Sequence, residues 1–262
     1  MKTIYLSSAY LAPVEYYAKL VAYDKIFIEQ HDHYVKQTYR NRCTIAAPDG
    51  ELALSIPTVK PDTLKCPLKD IRISDHGNWR HLHWNALSSA YNHTPFFEYY
   101  RDDFQPFYEK KYEFLVDFNE ELCHLVCSLI DIQPDMERTT SFQSSFAPNE
   151  DDFRERIHPK KNYKEEDPDF IVRPYYQVFQ ERLGFLPNLS IVDLLFNMGP
   201  ESLLVLQKSF WELLQKFRKI RSFFQSQLLT QAITTYFYPA QRNIQQWSNL
   251  FRKQIHLDIS TK

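Results

Sequence analysis

A chain that runs strand, turn, helix, strand within its first thirty residues has few folds open to it. Thr3–Leu6 is a short β-prone run, and Ser7, Ser8, Ala9 and Tyr10 form a polar turn. Pro13 opens a helix whose Val14, Tyr17, Ala18 and Val21 recur at i, i+3, i+4 and i+7. A second strand begins at Lys25 with the apolar run Ile26-Phe27-Ile28. This is the opening of a βαβ unit, whose two strands are expected to be parallel and to end at one edge. That edge carries the loop Ser7–Pro13 and the polar run after Ile28, where α/β folds bind ligands. From Glu29 to Arg42 nearly every residue is polar or ionisable: two His, two acids, a Lys, two Arg and two phenols among them.

The remainder points to α/β, with α+β as the variant: a short mixed sheet in the N-terminal half and a helical C-terminal region. Cys43–Ala47 and Leu52–Pro57 flank Pro48-Asp49-Gly50, a hairpin signal. Lys69–Ile73 reads as another strand. Asn78 is placed to cap a helix from Trp79 to about Asn92, with Trp79, His83, Ala86 or Leu87, Ala90 and Tyr91 on one stripe. Further helical patterns start at Phe96 and at Lys111, the second reaching Ile130. Residues 133–169 are polar and charged and read as a flexible surface segment. The divisions expected are therefore 1–132, an α/β domain with following helices; 133–169, the polar segment; and 170–262, mainly helical. In the last part, Gly184 serves as a helix end, Asn188 or Ser190 caps an apolar helix from Ile191 to Phe196, and Glu201 to about Phe237 is a long amphipathic helix or helix pair.

Composition narrows the function classes. With only 4 Gly in 262 residues, neither a GxGxxG nor a GxxxxGK[ST] phosphate loop is present. A net charge of −2 gives no general attraction to nucleic acid. No apolar run approaches membrane-spanning length, and Glu15 interrupts the N-terminal stretch, so neither a transmembrane segment nor a signal peptide is expected and the cytoplasm is the expected location. Cys123 and Cys127, four apart in a helical pattern, read as small core residues.

His31 and His33 project to one side of an extended segment and, with Asp32 and His81 or His83, offer zinc-type donors. No spacing requires a metal, so none is assigned, and hydrogen-bonding histidines are preferred. Lys36, Arg40 and Arg42, interleaved with Tyr34 and Tyr39, suit a phosphate or carboxylate with a ring beside it; a solvated edge strand explains the same alternation equally well. Ser7 and Ser8 lie at a strand end beside a helix start, but no GxSxG surrounds them. Lys160 and Lys161 are loop charges, or a lid over an anion.

Several blocks resemble the WbqC-like protein family of bacteria. They are Tyr34-x-Lys36-x-Thr38-Tyr39-x-Asn41-Arg42; Trp79-x3-His83-x3-Leu87-x3-Tyr91-x2-Thr94-Pro95-Phe96-Phe97; and Tyr176-Gln177 with Phe185-x-Pro187-x-Leu189-Ser190-Ile191-x-Asp193-Leu194-Leu195-Phe196-Asn197-x-Gly199. The chain departs from the family at Ser7-Ser8-Ala9-Tyr10, where His-Gln-Pro-x-Tyr is usual and only the Tyr is kept. It departs again at Gln30-His31, where two Asp are common.

The resemblance implies surface-polysaccharide or O-antigen biosynthesis and a transferase acting on an activated, anionic ligand of sugar-nucleotide type. The rival is a non-catalytic ligand-binding or scaffold protein of the same pathway. The cofactor and the oligomeric state are left open. One cleft is expected to gather the matched polar positions. In it His83 is the acid–base candidate, with Lys36 and Tyr34 as further catalytic candidates. Arg42 and Lys36 bind the anion, and Trp79 or Tyr39 stacks on a ring. Asn41, Tyr91, Tyr10, Gln177 and Asn197 are the other binding candidates; for Gln177 and Asn197 a plain capping or loop role is the alternative.

Overall fold

The computed structural model describes residues 1–210 apart from Asp62 and Leu64. They belong to one compact unit, Met1–Leu213. The opening is the expected βαβ unit: β1 (Thr3–Ser7), α1 (Val14–Ala22) and β2 (Lys25–Glu29), with β1 and β2 parallel and Thr3 opposite Lys25. Ile4, Leu6 and Ile26 are wholly buried, as period-two alternation on a covered face requires. On the other face the rings of Tyr5 and Phe27 stack at 5.2 Å.

The sheet has four strands, and its two edges come from the polar segment. Met136–Arg138 (β5) pairs with β2, and Glu150–Asp152 (β6) pairs with β1. The order is β5-β2-β1-β6 and every pairing is parallel. Composition predicts a flexible insertion over 133–169; the structure gives it two strands and buries Thr139, Phe153, Arg154, Ile157 and Asp167. Its apolar residues are few, and ion pairs and backbone pairing take their place. The antiparallel pair β3 (Arg42–Ala47) and β4 (Gly50–Ser55), joined by Pro48-Asp49, forms a separate two-stranded sheet. The mixture of parallel and antiparallel pairing thus belongs to the chain, not to one sheet.

The strand expected over Lys69–Ile73 is not formed. Leu68–Asp70 is a 3₁₀ turn, and only the isolated bridges Arg72 to Phe114 and Ile73 to Thr58 follow it. Pro67 starts the turn, and the segment has no neighbouring strand to complete a ladder. The helices follow the periodicity closely: α2 (Trp79–Tyr91), α3 (Phe97–Glu109) and α4 (Leu115–Leu129). The buried positions of α2 are Trp79, His83, Leu87, Ala90 and Tyr91. Asn78 precedes α2 in a left-handed conformation and makes no side-chain cap bond, contrary to expectation. Short helices α5 (Tyr163–Glu166) and α6 (Gln180–Leu183) lead to α7 (Ile191–Met198) and α8 (Ser202–Lys208). The long helix expected from Glu201 lies, beyond residue 210, outside the described residues. Among the described residues, no helix is long and apolar enough to cross a membrane.

Phe196 on α7 is the aromatic hub, meeting Tyr91, Phe97 and Phe104 edge-on with centroids 5.3, 5.1 and 5.2 Å away. Two residues past α7's Asn197, Gly199 turns the chain at φ 54°, and a Cβ built there would lie 2.5 Å from the Phe96 ring. Gly77, at φ 76°, has nothing within 4 Å of such a Cβ. Gly77→Ala is therefore expected to cost only the backbone strain, roughly 1–2 kcal/mol. Gly199→Ala adds a ring clash and should cost measurably more in urea denaturation. Equal losses at the two sites would contradict the packing at Phe96.

Candidate functional site

Because all four strands of the main sheet run the same way, their C-terminal ends meet at one edge. Ser7, Glu29, Arg138 and Asp152 are the last residues of the strands, and Ser8, Thr139 and Arg154 lie just beyond. The carboxylate of Glu29 has no exposure. Its Oε1 accepts from the His31 amide and the Thr139 hydroxyl, both at 2.8 Å, and its Oε2 accepts from Arg154 Nη1 at 2.9 Å. Arg154 also grips Asp152 with two parallel bonds of 2.8 Å.

A second pair sits alongside. Arg40, 2% exposed, donates through Nη2 to Asp32 Oδ2 and, at 2.6 Å, to the exposed Glu155. Burial lowers the tendency of Arg40 to hold its proton, but Asp32 and Glu155 outweigh it and keep the guanidinium above its ordinary pKa. Burial likewise raises the Asp32 carboxyl, with Arg40 restraining the rise. Asn119 on α4 donates to Ser8 Oγ at 3.0 Å and to the Arg40 carbonyl at 2.8 Å. Asp32 Oδ1, Arg40 Nε and Asn119 Oδ1 are buried without a hydrogen-bond partner. Unmatched donors and acceptors of this kind, clustered at a strand-end edge, mark a place built for polar contact. The adjoining cavities are small, about 10 Å3 beside Ser7, Arg40 and Arg154 and about 20 Å3 beside Ser8, Asn119 and Cys123.

The residues expected to share one cleft fall into three groups. His83 is 5% exposed and its Nδ1 lies 3.0 Å from the Tyr10 hydroxyl, which reaches Tyr108 at 2.8 Å. Trp79 packs edge-on against His83 at 5.1 Å, and its Nε1 donates to the Ser74 carbonyl. Tyr91, Gln177 and Asn197 gather around Asp193 of α7. Tyr91 and Tyr175 hydroxyls and the Gln177 amide donate to its carboxylate at 2.9, 2.8 and 2.8 Å, and Asn197 bonds the Asp193 carbonyl at 2.7 Å. Burial raises Asp193 to about 6 despite these donors. This group closes the loop 177–186 onto α7 and is a buried fastening.

The third group lies on and after the strand-end loop. Lys36 is exposed and Tyr34 half-buried. Asn41 donates to the Ile56 carbonyl, and Arg42 donates through Nε to Ser55 Oγ at 2.9 Å. The two groups touch at Ser55, whose backbone hydrogen-bonds His83. The sequence reading passed over Glu29, Asn119 and Arg154. Glu29 was legible as the first carboxylate after a buried strand, but nothing in the spacing flags Asn119 or Arg154. Of the three cations that the sequence offers to an anion, Lys36, Arg40 and Arg42, with Arg42 and Lys36 preferred, Arg40 is the buried guanidinium of the edge. Among the described residues no group of three or more His, Cys, Asp or Glu side chains is disposed to hold a metal ion.

Burial lowers the His83 imidazole from its ordinary 6.5 to about 4, with the Ser55 bond opposing the fall. The unfolded chain therefore binds the extra proton first. This contribution to stability is complete above pH 6.5 and lost as pH falls toward 4, on the order of 3 kcal/mol. His83→Gln is expected to flatten the acid limb of a pH–stability curve from urea melts. An unchanged limb would mean that His83 is solvated.

A model of the WbqC-like protein family matches residues 8–162. An uncharacterized protein of Mycobacterium tuberculosis (strain ATCC 25618 / H37Rv), Rv1507c, is 24% identical over 226 residues, in a match that takes in 77% of this chain and 96% of that protein. No solved structure matches. The family match takes in both Ser8 and the buried pairs Glu29–Arg154 and Asp32–Arg40, and the chain belongs to the WbqC-like protein family.

Proposed function

We propose that this protein is a transferase of surface-polysaccharide or O-antigen assembly that takes an activated, anionic donor of sugar-nucleotide type at the strand-end edge. The observation that carries this is the pair of buried guanidiniums, Arg40 and Arg154, at the C-terminal ends of parallel strands. Arg40 has an unmatched Nε, and one of its two carboxylate partners, Glu155, is solvent-exposed and so can be displaced by a ligand phosphate. Asp32 presents its unmatched Oδ1 beside that guanidinium, and a carboxyl raised by burial suits proton transfer from an acceptor hydroxyl. On this reading Asp32 takes the acid–base role given to His83 by its spacing. Lys36, exposed on the same loop, supplies an outer contact to the anion.

The rival, a non-catalytic ligand-binding or scaffold protein, draws on the same edge: both guanidiniums are already paired and the adjoining cavities are water-sized. A thermal-shift series with UDP-glucose, GDP-mannose and their free nucleotides separates the two. A nucleoside diphosphate sugar at a hundredfold its dissociation constant stabilises the fold by about 2.7 kcal/mol. Glu155→Gln removes the competing carboxylate and is expected to tighten binding roughly two- to fivefold. Stabilisation together with donor turnover supports the transferase, and stabilisation with no turnover supports the rival. A flat response across the series in both proteins refutes the donor site.

A further inference from the structure

The one basic cluster of the polar segment, residues 158–163, is not used by the strand-end site. It forms a wall of a separate cleft of about 230 Å3. Arg156, His158, Lys161, Tyr39, Tyr163 and Glu15 are among its lining residues, and the Arg156 guanidinium also donates to the Glu166 carbonyl at 2.7 Å and lies over the Phe153 ring. Tyr39 is also a wall of the cavity beside Arg40, so one phenol divides the two spaces.

The lining offers an anion two cations, Arg156 and Lys161, and the N–H of a His158 whose proton affinity burial lowers. Lys161 reaches Glu166 only at 3.4 Å, with 41% of its side chain exposed, and is free to move to a better partner. The Lys160 amide donates to His158 Nδ1 at 3.0 Å, which fixes that nitrogen as an acceptor and leaves Nε2–H as a donor. Glu15, buried at the start of α1, adds no negative charge. Burial and the neighbouring Asp167 raise it to about 8, while Asn188 bonds its Oε2 at 3.0 Å. Asp167 is in turn neutralised by Lys19 at 2.5 Å in a pair with 1% exposure on each side. Glu51 is the remaining carboxylate of the lining. A small cleft lined by an ammonium, an imidazole N–H, a guanidinium and two phenols fits a compact hydroxylated anion. The cations hold the anionic group, and the rings lie against a sugar face.

We infer that this cleft is a second binding site, for a sugar phosphate or another monosaccharide-sized phosphate ester. It stands whether or not the strand-end edge binds a donor. Calorimetric titration of the full chain with glucose 1-phosphate tests it, with glucuronate, glucose and inorganic phosphate as comparison probes. Saturable binding of glucose 1-phosphate is expected, with glucose silent and inorganic phosphate weaker. Lys161→Glu should weaken it by at least about tenfold, the size of one charge-assisted contact made repulsive. His158→Gln, a milder change, should weaken it severalfold, and Arg40→Lys should leave it unchanged. No binding by the parent chain overturns the inference, as does binding that Lys161→Glu and His158→Gln leave intact. Loss in Arg40→Lys alone moves the ligand to the strand-end edge and overturns it too. Glucuronate binding as tightly as the phosphate ester replaces the phosphate class with the carboxylate class.

Discussion

The buried carboxylate of Glu29 is the contact on which the strand-end edge depends. An unpaired carboxylate with no exposure is costly enough that the chain must surround it with donors. Those donors come from four places: the His31 amide just after β2, Thr139 just after β5, the Gln143 amide between β5 and β6, and Arg154 just after β6. One side chain thus ties the second strand of the chain to two strands that enter more than a hundred residues later. Removing a partner would leave a buried charge uncompensated, a loss of roughly 3–5 kcal/mol. Arg154 meets Glu29 through Nη1 while its Nε and Nη2 hold Asp152, so one guanidinium serves both carboxylates.

From this follows the division of labour between charged and aromatic residues. The sheet edge is closed by ion pairs, whereas the helical layer is closed by rings around Phe196 and Phe118. His83 and Tyr10 belong to the aromatic layer and Arg40 and Asp32 to the ionic one. Asn119 bridges them, since it sits on α4 and bonds both Ser8 and the Arg40 backbone. Phe118, next to Asn119 on α4, stacks on Tyr10 with ring centroids 5.8 Å apart.

The local structure was legible wherever periodicity decides it. The βαβ opening and the stripe of α2 follow from apolar spacing, which leaves only Ala86 and Leu87 as alternatives, and the hairpin follows from Asp-Gly between two apolar runs. Sequence logic failed where a long-range partner decides. Residues 136–138 and 150–152 are strands because β1 and β2 offer open edges, and no property of Met-Glu-Arg or Glu-Asp-Asp announces it. Of Asn188 and Ser190, the two cap candidates for the helix beside them, Ser190 stands at the N-cap position of α7, and the Asn188 side chain accepts the Glu15 amide at the start of α1. The polar run after Ile28 lies, as the parallel pairing requires, at the C-terminal ends of the strands. Which of its residues would be buried, Arg40 rather than Arg42, was set by Asp32 and by a segment 115 residues away.

Hydrogen exchange on the full chain at neutral pH tests most directly whether the polar segment is part of the sheet. The amides of Ile26, Thr139 and Phe153 donate to Asp135, Ile28 and Tyr5 across the two edge pairings, at 2.9, 3.0 and 2.9 Å. If Glu29 and Arg154 hold those pairings, these amides are expected to be as protected as those within the β1–β2 ladder and to lose protection together in Glu29→Gln. Fast exchange at Thr139 and Phe153 in the parent chain, with the β1–β2 ladder still protected, would contradict the account: residues 133–169 would then be a loose flap, and the strand-end site would lack Arg154.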